Sequence, residues 1–103
     1  MSRKAAGGKR DAARWMVYML RCTDGSFYTG ITSDLVRRLN AHAAGTASRY
    51  TRARRPLVLV YLESAANRRA AMRRELQIKG LSRIRKEKLV DGGRGERRSK
   101  STG

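Results

Sequence analysis

Residues Trp15–Thr32 read WMVYMLRCTDGSFYTGIT. Two runs rich in aromatic and β-branched residues, Trp15–Arg21 and Phe27–Thr32, flank the stretch Thr23-Asp24-Gly25-Ser26. Runs of this kind predict strands, and Asp-Gly between them supplies the positive φ that a hairpin turn needs. The hairpin carries a phenol on each strand: Tyr18, then Tyr28 ten residues on, two places before Gly30.

Downstream, Asp34–Ala44 predicts a helix, with Ser33 or Asp34 to cap it and Gly45 to end it. Leu57–Leu62 is a continuous apolar run, the mark of a well-covered strand. Ser64 is placed to cap a long helix from Ala65 to about Lys79, stopped near Gly80, and Ser82 to cap a short one ending about Val90. The order β-β-α-β-α-α predicts an α+β fold, a small three-stranded antiparallel sheet flanked by helices.

Composition sets the outer limits. A chain of 103 residues suits one small domain. Lys and Arg number 25 against 8 acids, a net charge of +17. An excess this large implies a polyanionic partner, most simply nucleic acid. A membrane role is not expected, because no apolar run approaches the ~20 residues of a spanning helix and the basic start lacks a signal-peptide pattern. The single Cys22 allows no internal disulfide and fits a reducing, cytoplasmic setting. Residues 1–14 and 91–103 are Gly-, Ser- and Arg-rich with few large apolar side chains, and read as disordered basic tails. Residues 15–90 form the domain and keep 16 basic and 5 acidic residues, so the folded part is itself basic.

Three helical residues stand out. In the first helix, Leu35, Val36, Leu39 and Ala43 form the apolar face at about 100° per residue. Arg37 then points to solvent, while Arg38 and His42, one turn apart, sit at the edge of that face. An Asp34–Arg38 surface pair is the plain alternative for this arginine. His42 is the only histidine, which excludes a multi-histidine metal site. In the long helix, Glu75 is the only acid among arginines, with Ala71 and Met72 one turn before it and Ile78 near one turn after. A charge among apolar side chains needs a partner. It either pairs with Arg68 or Lys79, or offers its carboxylate to a hard divalent cation. The loop ASRYTRARRP adds Arg49, Arg52, Arg54 and Arg55, candidates for phosphate contact.

Val17-Tyr18, then Tyr28-Thr29-Gly30, then Arg38 ten residues past the second tyrosine, then the lone Glu75 together resemble the GIY-YIG nuclease family. The likeness covers roughly residues 15–90 and is greatest to short stand-alone bacterial members. It implies a metal-dependent endonuclease that hydrolyses phosphodiester bonds of nucleic acid, with DNA favoured, selective for structure rather than sequence, in repair, recombination or processing. It assigns Tyr28 to activating water, Tyr18 to supporting it, Arg38 to the phosphate, His42 to a place near the base, and Glu75 to Mg²⁺ or Mn²⁺. No small-molecule cofactor is implied. An adjacent guanidinium and a cation both favour phenolate over phenol, so the set is chemically coherent. The chain departs from the family pattern at Met16, where a glycine is usual, at Thr29 for isoleucine, and in having no asparagine after Asn67. The competing reading is a non-catalytic basic module that binds DNA or RNA on the same scaffold.

Overall fold

A computed structural model describes residues 14–102, with side chains through residue 92. The expected tail at 1–14 therefore lies, but for Arg14, outside the described residues. Strands β1 (Trp15–Arg21) and β2 (Phe27–Thr32) form the expected hairpin. Gly25 turns it with φ 85. The Asp24 carboxylate tightens the turn by accepting from the Ser26 amide at 3.0 Å and the Ser26 hydroxyl at 2.6 Å. Helix α1 (Leu35–Ala44) follows, capped by Asp34, whose side chain accepts from the Arg37 amide. Gly45 ends it in the left-handed region, φ 82. A short helix α2 (Arg49–Arg52), capped by Ser48, lies inside the arginine loop, where the sequence had suggested no element.

Strand β3 (Val58–Ala65) completes a sheet ordered β2-β1-β3, antiparallel throughout. It runs three residues beyond the predicted end at Leu62. Glu63, Ser64 and Ala65 pair with Val17, Met16 and Trp15, and this pairing holds them extended. Ser64 is consequently no cap. The long helix, α3 (Arg68–Lys79), starts later, with the Asn67 side chain accepting from the Ala70 amide at 2.8 Å. Helix α4 (Arg83–Thr102) also passes its expected end near Val90 and enters the segment read as a disordered tail. No proline follows Pro56 to stop it, and glycine inside a helix costs only about 1 kcal/mol per residue.

The central strand β1 serves both faces of the sheet. On one side Val17 and Met19 join Ala71, Ile78 and Val90 in a core fully closed to solvent, with Trp15, Phe27, Ile31 and Leu89 packed around it. Helices α3 and α4 supply that cover. Glu63 points to the same side, where its carboxylate accepts from Arg74 Nε at 2.9 Å and from the Tyr61 hydroxyl at 2.6 Å. On the other side Tyr18 stands opposite Gly30 of β2 and Leu62 of β3. His42 of α1 and Thr51 of α2 are buried there. Val36, expected in the apolar face of α1, is 71 % exposed. Leu35, Leu39 and His42 define the inward stripe, and Val36 falls about 100° to one side of it.

Candidate active site

The site grows from the pairing of Tyr18 with Gly30. A β-carbon at Gly30 would fall 2.5 Å from the Tyr18 hydroxyl and 2.7 Å from Cζ, so only glycine lets the phenol lie across β2. In that position the Tyr18 hydroxyl meets His42 Nε2 at 2.8 Å. His42 Nδ1 meets Thr51 Oγ1 at 2.9 Å. Thr51 Oγ1 lies 3.4 Å from the Ser48 carbonyl, which can only accept. If Thr51 donates to that carbonyl, it accepts from His42 Nδ1–H, and Nε2 is left to accept the Tyr18 proton. The buried chain Tyr18–His42–Thr51–Ser48 thus has a partner for every polar atom.

Tyr28 differs from Tyr18 in one decisive respect. Its ring packs edge-on to His42, centroids 5.2 Å apart, and stacks on Tyr50 at 6.1 Å. Its ring is therefore held, yet its hydroxyl makes no hydrogen bond among the described residues, whereas the Tyr18 hydroxyl is spent on His42. Tyr50 is itself fixed. Its hydroxyl donates to Ser26 Oγ at 2.6 Å, the Arg54 guanidinium covers its ring at 3.7 Å, and Arg54 Nε pairs with Asp24 at 3.0 Å. This closed circuit ties the hairpin turn to α2 and sets the plane against which Tyr28 stacks.

Electrostatics fix the protonation of Tyr18 and His42. Burial pushes the Tyr18 pKa well above the ordinary phenol range. Tyr28 and Glu75 push it further, and the nearby Arg38 charge works against the rise. Tyr18 consequently keeps its proton. Burial first, and the Arg38 charge second, hold His42 below the usual imidazole range, so it is neutral at pH 7. Arg38 is exposed on α1 but close enough to act on both groups, while Arg37 is exposed away from them. Asp34 does not pair with Arg38; its carboxylate caps the helix.

Glu75 reaches the same field from α3, since its charge acts on Tyr18. It also pairs with Lys79 at 3.2 Å, its side chain 20 % exposed against 52 % for the lysine. The alternative expected from the sequence, an ion pair one turn on, is thus present beside the site. A lysine half in water leaves the carboxylate available. No group of three His, Cys, Asp or Glu able to cage a metal occurs among the described residues. One carboxylate suits a cation such as Mg²⁺, which keeps most of its waters and binds substrate phosphates rather than a full protein cage.

The four loop arginines have separate fates. Arg54 is committed to Asp24 and Tyr50. Arg55 donates to the carbonyls of Arg52 and Ala43, both at 3.1 Å. Arg49 and Arg52 are exposed, with no side-chain hydrogen bond or ion pair among the described residues. The sequence reading missed Thr51 and Tyr50. The spacing of Ser48 and Thr51, an Ser-x-x-Thr start to a helix, was the available signal.

Two phenols on one face of a hairpin, an arginine and a histidine on the next helix and one acid on a later helix repeat the residue pattern of a nuclease family. The model of the GIY-YIG catalytic domain matches residues 14–88, and the chain belongs to that family. Within it the chain is similar to UPF0213 proteins. One from Desulfotalea psychrophila is 47 % identical over 81 residues, 78 % of this chain and 74 % of the relative. One from Halobacterium salinarum is 49 % identical over 73 residues, 71 % and 95 % of the two chains. The solution NMR structure of a UPF0213 protein from Bacillus halodurans superposes with a TM-score of 0.51 at 46 % identity, covering 76 % of this chain and 83 % of that one. Membership of the family implies nuclease activity in general and a nucleic-acid substrate.

Proposed function

We propose that the chain is a metal-dependent endonuclease that hydrolyses phosphodiester bonds, with DNA as its polymer and structure rather than sequence as its criterion. The observation that carries this reading is the unequal pair of phenols. One is buried, bonded to a neutral histidine and kept protonated; the other is half-exposed, fixed by stacking on Tyr50, and has a hydroxyl with no hydrogen bond among the described residues. A phenol committed to a buried partner and one with no hydrogen bond among the described residues can serve different roles at one site. Tyr28, in its phenolate form, would take the proton from an attacking water. Tyr18 and His42 hold the adjoining wall in place and resist a second negative charge beside it. Arg38 can engage two phosphate oxygens at once and offset the charge that develops there.

A divalent cation held by Glu75 would supply electrophilic stabilisation at the phosphate and leaving group. The basic excess of +17 favours a polyanion, and the exposed cations Arg49 and Arg52 support contact with its backbone. The non-catalytic module is the less favoured reading, since a coating surface has no use for an acid beside two phenols.

The test is incubation with labelled single-stranded, duplex and branched DNA and RNA in Mg²⁺, Mn²⁺ or chelator, with Tyr28→Phe alongside. The wild type should cut a DNA substrate only with the cation, and Tyr28→Phe should bind without cutting. Binding without cutting by both proteins would leave the module reading in its place.

A further inference from the structure

Behind His42, between α1, α2 and β3, lies an open groove of about 520 Å³. Leu20, Leu39, Leu57 and Leu59 give it apolar walls, and Arg52 and Arg55 stand at it as exposed cations. His42 lines it too, so one imidazole borders this groove and bonds to Tyr18 of the site. Whatever occupies the groove is therefore a single side chain away from the chemistry.

The lining asks for an occupant that is largely apolar and attached to negative charge. Arg55 is oriented in advance: two of its five N–H groups are tied to backbone carbonyls, and its guanidinium lies close over Gly45, where a β-carbon would approach to 2.9 Å. Its other donors, and Arg52, which has no side-chain partner among the described residues, are left for an anion. A nucleotide meets both demands, its base against leucine and its phosphate against arginine. A base inside a duplex is stacked and paired and cannot enter such a slot; an unpaired one can, at little cost. The strongly basic chain favours this over an acidic peptide, whose charges would be too sparse to use the rest of the surface.

We infer that this groove receives the base of an unpaired nucleotide next to the phosphate presented to Tyr28, so that the substrate class is a strand with at least one unpaired nucleotide beside the cut. This rests on the reading that the site acts on a phosphodiester. The groove itself can be tested without cutting.

Fluorescence anisotropy in chelator would compare a labelled twelve-nucleotide thymidine strand, the same strand with one or more abasic positions, and a blunt duplex. Each base seated against the groove should strengthen binding about tenfold over its abasic counterpart. Ala43→Phe, which fills the groove from an exposed helix position, and Leu59→Ser, which removes an apolar wall, should each abolish that difference. Both should keep duplex affinity and melting temperature near wild type, which shows the fold intact. Duplex and single strands bound alike, or discrimination that persists in both folded variants, would overturn the groove proposal alone. Absence of salt-dependent binding to any of the three would overturn the nucleic-acid reading beneath it. Displacement of the thymidine strand by an acidic, leucine-rich peptide at equal concentration would reassign the groove to a protein partner.

Discussion

Replacing Gly30 by alanine tests the construction of the site at its narrowest point. The new β-carbon would meet the Tyr18 hydroxyl at 2.5 Å and Cζ at 2.7 Å, both closer than real β-carbon contacts allow, and Cε1 at a tight 3.0 Å. Tyr18 is 2 % exposed and has no open space to swing into, so either its ring moves off His42 or β2 moves off β1. Losing the hydrogen bond costs about 1 kcal/mol net and leaving its buried atoms unpaired about 1–3 kcal/mol. Overpacking contributes about 1–3 kcal/mol where the backbone yields instead. These routes are alternatives in part, so about 3 kcal/mol is expected, a fall in Tm of roughly 15 °C for a domain of this size. Thermal melts by circular dichroism measure it. Tyr18→Phe alone should cost less, about 1–2 kcal/mol, because it removes the hydroxyl without crowding the ring. The two changes together should cost less than their sum, since the phenylalanine lacks the atom that alanine strikes first. Gly30→Ala melting within a degree or two of wild type, with Tyr18 still bonded to His42, would refute this account of why glycine stands there.

Three further outcomes follow from the same geometry. Arg38→Ala should lower cleavage by about a hundredfold or more with binding changed only modestly, while Arg37→Ala leaves cleavage near wild type; parallel cleavage and anisotropy titrations check this, and equal losses would mean the helix is turned the other way. His42 has a folded pKa below its unfolded value, so the unfolded chain binds the extra proton and stability should fall as pH drops below about 6.5. Melts at pH 7.5 and 5.5 should show a smaller drop in His42→Gln, and an identical drop would assign the pH response to other groups. Glu75→Gln should remove cation-dependent cleavage and lower Tm by only a few degrees, because Lys79 is half-exposed and such pairs are worth about 0–1 kcal/mol; a large fall in Tm with cleavage intact would make Glu75 a structural residue.

The hairpin was readable because Asp24-Gly25 and the aromatic runs on either side carry their instructions locally. Helix α1 was readable for the same reason, through Asp34 and Gly45. The errors lie where distant partners decide. Ser64 looks like a cap until β1 pairs with it, and Val36 looks like core until Leu35, Leu39 and His42 set the helix phase. Tyr18, Tyr28, Arg38 and His42 could be grouped by their spacing, and the structure brings them together. Glu75 could be singled out as an acid among arginines, yet its ion pair with Lys79 and its influence on Tyr18 could not both be weighed from spacing. The roles of Tyr50 and Arg54 depend on contacts with the hairpin turn, thirty residues apart between Asp24 and Arg54, and that of Thr51 on its bond to His42 of α1, which no local pattern announces.

Strand β1 gives its odd-numbered side chains Val17 and Met19 to the core and its even-numbered Tyr18 to the chemistry. A slip of one residue in its pairing would exchange the two sets, burying a phenol among the helices and turning methionine and valine toward the phosphate. The strand therefore acts as an interlock: the reactive face is assembled only by the register that also closes the core. A partly folded or mispaired copy lacks Tyr18 at Gly30 and with it the held wall beside Tyr28. On the nuclease reading proposed above, the licence to cut is thus issued by correct folding, and a misassembled copy would adhere to the polymer by charge without the means to damage it.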